Sequence, residues 1–250
     1  MCDMATYVIS DLHGSKTEFD HMLKVIDFHA EYDEMWIVGD VCDRGRDSIP
    51  LLLEIMHCPS MHLIFGNHDV WLARYIPELI RGKSDEGTLY MPTMSDDFVT
   101  WLSYNGGLTT ADQFMDLDYP TCYDIQNYLQ EHKLYQFLEV GGTKYLLVHS
   151  GLGSWCRAGV NPAEVPEFEL IWPHIGLEDN PYDDVTMIVG HMPTFLYGKE
   201  YDGKIIHGKK KSILHIDCGC VYGRRLGCVR LEDQKEFYVP STYPYLKVRT

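Results

Sequence analysis

Positive charge is scarce in this chain: 21 lysines and arginines stand against 37 aspartates and glutamates, a formal net charge of −16 at pH 7. Lys209-Lys210-Lys211 is its one basic run. That balance argues against a nucleic-acid polymer as the main partner, because such binding depends on lysine and arginine meeting phosphates. Long apolar stretches are missing as well. None approaches the roughly 18 residues that a membrane span needs, and Met1-Cys2-Asp3-Met4-Ala5 lacks the basic start and apolar block of a secretory signal. A cytoplasmic protein with no membrane partner is expected. Paired C-x-x-C spacing is also absent from the eight cysteines, at positions 2, 42, 58, 122, 156, 218, 220 and 228. The pair Cys218-Gly219-Cys220 is one residue too short for the usual zinc knuckle. Free, buried thiols are expected.

What is present is an ordinary globular composition, 45% hydrophobic and 23% charged over 250 residues, enough for a sizeable core. The stretch Trp36 to Gly45 is the most informative. An apolar run stops at Gly39, and Asp40, Asp43, Arg44 and Gly45 follow at once. The same grammar recurs. Thr6–Ser10 reads as a strand ending at Asp11-Leu12-His13-Gly14, and Met61–Phe65 as one ending at Gly66-Asn67-His68-Asp69. Lys144–Val148 ends at His149-Ser150-Gly151, and Val185–Val189 at Gly190-His191. Between the first strands, Phe19, Met22, Leu23 and Ile26 make one helical stripe. A second helix runs over Leu51–Met56, with Asp47 or Ser48 as its cap and Pro50 in its first turn.

Alternation of strand and helix predicts an α/β sheet covered by helices. Residues 70–140 read differently, as helix-like patches (Val70–Ile80, Phe98–Tyr104, Tyr123–Glu131) forming a helical insert, with 81–87 a mobile surface loop. Strand-like runs return at Ser212–Ile216, ending at Asp217, and a β-hairpin is expected from Val229–Leu231 and Glu236–Val239. No linker or internal repeat divides the chain, so residues 1–250 are expected to form one domain.

Ligands of open α/β sheets sit outside the carboxyl ends of the strands. Five such ends would bring Asp11, His13, Asp40, Asn67, His68, His149 and His191 to one edge. Of twelve histidines, His21, His29, His57, His62, His132 and His207 have no acid–glycine context, and His174 and His215 are ambiguous. Carboxylates mixed with imidazoles suit Mn²⁺, Fe or Zn²⁺. Six ligands are too many for one tetrahedral zinc and suit two ions, with Asp40 central enough to bridge them. A water shared by such ions would ionise near neutral pH and attack phosphorus in line. Arg44 offers a guanidinium fork for phosphate oxygens, and His68 a proton for the leaving oxygen, with Asp43 to orient it.

Taken together, Asp11-Leu12-His13-Gly14, Gly39-Asp40-Val41-Cys42-Asp43-Arg44-Gly45, Gly66-Asn67-His68-Asp69, His149-Ser150-Gly151 and Gly190-His191 resemble the successive signatures of the PPP-type phosphoprotein phosphatases, within the calcineurin-like metallophosphoesterase superfamily. Trp101-Leu102-Ser103-Tyr104-Asn105-Gly106-Gly107 and Asp217–Gly223 are similar to segments of its bacterial and phage branch. The resemblance implies a four-layer αββα sandwich with a di-metal centre. It implies one metal on Asp11, His13 and Asp40, and a second on Asp40, Asn67, His149 and His191. His68 would be the acid paired with Asp43, and Arg44 a phosphate ligand. Asp69 stands where the eukaryotic enzymes carry glutamate, a feature shared with dinucleoside tetraphosphate hydrolases. Arg157, the only arginine between His149 and His191, is the candidate for a second phosphate contact. The expected activity is Mn²⁺-dependent hydrolysis of phosphoserine or phosphothreonine in proteins. The alternative is hydrolysis of a dinucleoside polyphosphate on the same centre, and a catalytically silent binding scaffold is a third reading.

Overall fold

The structure, a computed structural model, describes residues 4–84, 87–89, 94–131 and 133–245. Cys2 and His132 fall outside them, as do residues 85–86 of the expected 81–87 loop. Two sheets of five strands each form the centre. In the first, β1 (Thr6–Ile9), β2 (Glu34–Val38) and β3 (Met61–Ile64) are parallel neighbours. On the other side of β1 lie the antiparallel β9 (Arg225–Arg230) and its hairpin partner β10 (Lys235–Pro240). The second sheet has a parallel centre of β5 (Thr143–Val148), β6 (Val185–Val189) and β8 (Ile213–His215). Antiparallel edge strands β4 (Tyr135–Val140) and β7 (Ile206–His207) flank it.

Period-two alternation sorts the strand residues into two buried layers. Val8, Val38, Ile64 and Val229 join Leu147, Ile188 and Leu214 in a cluster between the sheets. Their neighbours Tyr7, Ile9 and Ile37 turn outward onto Phe19, Met22, Leu52 and Ile55 of the helices. The register is therefore fixed from both faces, since a slip of one residue would exchange every side chain.

Helix α1 (Lys16–Val25) buries Phe19 and Met22, and Ile26 closes its end, as the stripe predicts. Asp47 occupies the N-cap of α2 (Ser48–His57), but its side chain caps nothing; Ser48 Oγ instead accepts the N–H of Asp43 at 3.0 Å. Helix α3 (Asn67–Gly82) begins on the third motif itself, and α4 (Asp96–Tyr104), α5 (Gly107–Met115) and α6 (Tyr119–Gln130) follow. A short α7 (Glu167–Ile171) and 3-10 turns occupy the segment between β5 and β6. The sequence expectations omit α5, β4 and β7. α5 is hidden behind Gly106-Gly107, and β4 carries a mostly half-exposed pattern rather than an apolar run. The cysteines among the described residues are free, and no helix there is long and apolar enough to cross a membrane.

Candidate metal-binding active site

All five strand ends meet at one edge of the two sheets. The loops continue the strand pairing past the strands: the N–H of Asp11 donates to Gly39 O at 3.0 Å, that of His13 to Asp40 O at 2.8 Å, and that of Gly190 to His149 O at 2.8 Å. Six residues here, Asp11, His13, Asp40, Asp43, Arg44 and His191, hold φ between 43° and 72°. Side chains disfavour that region, at a cost of order 1–3 kcal/mol each, and such strain persists where the surroundings over-determine it. Gly66 and Gly190 permit the close approach. A Cβ on Gly66 would collide with Asp40 Oδ1, and one on Gly190 with Asp11 Oδ2.

Asp40 lies at the centre. Its Oδ1 accepts the N–H of His68 at 3.0 Å, while Oδ2 lies 3.6 Å from His13 Nε2 and 3.3 Å from His149 Nε2. The donor atoms of His13, Asp40 and His68 form one group within 4.8 Å of each other, and those of Asp40, His149 and His191 form another. Asn67 Oδ1 is 3.3 Å from His149 Nε2. Asp11 belongs to neither group; its carboxylate accepts the N–H of His191 at 3.0 and 3.1 Å. Backbone carbonyls set the imidazole tautomers. His13 Nδ1 donates to Cys42 O and His149 Nδ1 to Val38 O, each at 2.9 Å, which turns both Nε2 atoms towards Asp40. His191 is reversed, with Nε2 donating to Trp172 O at 2.9 Å.

Arg44 spans two imidazoles, donating to His13 Nε2 at 2.7 Å and His68 Nε2 at 2.9 Å. His68 Nδ1 donates to Asp43 Oδ2 at 2.7 Å. The same carboxylate, fully buried, accepts Trp101 Nε1 and Thr110 Oγ1, each at 2.7 Å. Helices α4 and α5 thus hold Asp43 in place, and Gly106 O accepts the N–H of Arg44 at 3.0 Å.

Electrostatics at this edge are dominated by carboxylates taken out of water. Burial, then repulsion from Asp217, raises Asp11 well above the usual carboxylate range. Burial pushes Asp217 up to about 6. Burial works on Asp40 in the same direction, but His149 and His68 outweigh it and hold the acid well below its ordinary value. Burial opposes charge on His149; Asp40 overcomes this and raises it to about 10. His13 is lowered by burial and by Arg44, and His191 falls to about 3 through burial and the neighbouring His149. Three carboxyl groups, Asp11, Asp40 and Asp217, crowded into one dry region beside the imidazole nitrogens of His13, His149 and His191, form a donor set suited to cations, whose charge would favour the ionised carboxylates. These residues fit divalent ions.

A cleft of about 390 Å³ opens over Asp40, Arg44 and Asn67. His174 lines it, with its ring 5.5 Å from that of His191. Arg157, expected to bind phosphate, does not line it; this residue is exposed, its guanidinium 4.7 Å from the centre of the Trp155 ring. Sequence reasoning missed four contributors: Trp101, Thr110, Asp217 and Asp69. Asp69 accepts the N–H groups of Asp40 (2.7 Å), Gly66 (2.9 Å) and Val41 (3.0 Å), tying the second motif to the third. Burial and the charge of Asp40 push its pKa up to about 7 despite those bonds.

A family model described as calcineurin-like phosphoesterase matches residues 4–219. Among similar proteins, the symmetrical bis(5'-nucleosyl)-tetraphosphatase of Marinomonas sp. (strain MWYL1) is 27% identical over 96% of this chain and 98% of that protein. Its namesake from Proteus mirabilis (strain HI4320) is 24% identical over 95% and 98%. In three dimensions the chain is similar to a candidate diadenosine tetraphosphatase, with TM-score 0.66, 16% identity and coverage of 96% and 95%. It is also similar to a protein serine/threonine phosphatase of Saccharomyces cerevisiae, with TM-score 0.59, 14% identity and coverage of 99% and 82%. These two likenesses show a shared fold. With a match that takes in all five strand-end motifs, the chain belongs to the calcineurin-like phosphoesterase family.

Proposed function

We propose that this metallophosphoesterase hydrolyses dinucleoside polyphosphates, with diadenosine tetraphosphate as the model substrate. The observation that carries this reading is end-to-end similarity to bis(5'-nucleosyl)-tetraphosphatases, which covers 98% of the length of two of them. It displaces the phosphoprotein expectation as the leading one. Asp11, His13 and Asp40 would hold one ion, and Asp40, Asn67, His149 and His191 the other, with Mn²⁺ the proposed metal. When bound, such ions supply Lewis acidity, lowering the pKa of a water and polarising phosphoryl oxygens. The protein's own residues do the rest. Arg44, fixed between His13 and His68, exchanges those partners for the non-bridging oxygens of the scissile phosphate. That exchange frees the Nε2 lone pair of His68 to take up a proton from solvent, which the ring then passes to the leaving oxygen. Asp43 holds the ring in place through Nδ1.

A second reading, phosphomonoester hydrolysis on proteins, is favoured by the His68–Asp43 pair itself. A serine alkoxide leaves poorly without a proton, whereas a nucleoside diphosphate is already a good leaving group. Turnover of diadenosine tetraphosphate and of a phosphoserine peptide, side by side with Mn²⁺, separates the two. Cleavage of the dinucleotide to ADP with at least tenfold higher kcat/KM is expected, and preference for the peptide would overturn the first reading.

A further inference from the structure

We propose that Trp172, Phe195 and Tyr222 form a nucleobase subsite, receiving the purine of a nucleotide whose phosphates lie on Arg44. The proposal rests on the dinucleoside-polyphosphate reading and names the part of the site that recognises the nucleoside. All three rings line the same cleft as Asp40, Asn67 and Arg44. Tyr222 stands next to the phosphate-handling residue, with Arg44 Cζ 5.7 Å from its ring centre. Trp172 stands next to a proposed metal ligand, its ring 6.4 Å from that of His191. Aromatic surface therefore adjoins the reaction centre both at Arg44 and at His191.

The wall is braced. Phe195 meets Tyr222 edge to face at 5.7 Å, and Arg224 covers it with Cζ 4.0 Å from the ring centre. Arg224 is itself fixed by Asp202 Oδ1 at 3.1 Å and the carbonyl of Tyr222 at 2.5 Å. A ring held in advance loses little freedom when a base stacks on it. Charge points the same way. A chain of net charge −16 repels an anionic nucleotide at long range, so selectivity must come from short contacts. Stacking is one that carries no charge and suits any purine. Asp40 is the only carboxylate among the described residues lining the cleft, so the walls add no repulsion of their own.

The test is calorimetric binding to the Mn²⁺-loaded protein of two ligands that resist cleavage, the α,β-methylene analogue of ADP and methylenediphosphonate. They present the same pair of phosphorus groups and differ in the nucleoside. The nucleoside analogue is expected to bind about five- to a hundredfold tighter, the range for stacking a base on aromatic rings. Phe195→Leu and Trp172→Leu, each checked for a native melting transition, are expected to narrow that gap at least threefold. Equal affinity in the wild type, or a gap unchanged in both variants, would overturn the subsite. The outcome is separable from the catalytic reading. Dinucleotide cleavage without a gap removes only the subsite, and a gap without dinucleotide cleavage removes only the proposed substrate.

Discussion

Asp69 reaches the site only through backbone, which makes it a sharp place to perturb. Its Oδ2 accepts the N–H groups of Asp40 and Gly66, and its Oδ1 that of Val41. In Asp69→Asn one oxygen becomes an amide NH₂. With the remaining oxygen at the Oδ2 position, two bonds survive without their charge, and the NH₂ faces the Val41 N–H, donor against donor. Buried bonds to a charged group are worth about 1.5–3 kcal/mol each, and an unsatisfied donor adds to the loss, so a cost of about 2–4 kcal/mol is expected. For a chain of this size that corresponds to a fall in Tm of roughly 5–15 °C. The segment released carries Asp40, and misplacing a reacting group by about 1 Å can cost about 10²-fold in rate. Kinetics and thermal unfolding at pH 8, where the acid is ionised, should show both losses together, with weaker Mn²⁺ binding. A variant with wild-type melting, activity and metal affinity would refute the reasoning.

His68→Asn is expected to lower kcat by about 10²–10⁴-fold on a substrate with a poor leaving group, and by much less on p-nitrophenyl phosphate, whose phenolate leaves unaided; equal losses on both would remove the proton-donor role. His215 supplies a pH prediction for stability. Burial lowers its pKa from 6.5 to about 4, so below pH 6.5 the unfolded chain takes up a proton that the folded one refuses, and stability falls as pH drops towards 4. The loss from this residue is about 2 kcal/mol between pH 7 and pH 5. Urea unfolding at the two pH values should show a difference that shrinks by that amount in His215→Leu, and an unchanged difference would count against it.

The candidate site was legible because its residues follow strands directly. An apolar run ending in glycine and a carboxylate or imidazole declares both its place, at the sheet edge, and its chemistry. What supports those residues was not legible. Trp101 and Thr110 reach Asp43 from 58 and 67 residues away, a separation that no local pattern encodes. Trp101 lies in a segment with family resemblance, but nothing in its spacing says what its indole N–H bonds. Asp69 read as a variation in a motif, whereas its carboxylate acts on backbone. Arg157 is the sole arginine between His149 and His191 in the sequence, but the chain takes it out onto Trp155 while His174 lines the cleft. In the fold, the buried strands with continuous apolar runs were readable. The half-exposed β4 and the glycine-led α5 were not, because their character comes from what packs on them.

The central claim is that Asp40 serves two cations at once, and metal content measured on wild type and Asp40→Asn tests it most directly. Two Mn²⁺ per chain are predicted for the wild type after reconstitution, with both lost or weakened together in the variant. Two ions retained in Asp40→Asn, or phosphoester hydrolysis that survives exhaustive chelation, would contradict it.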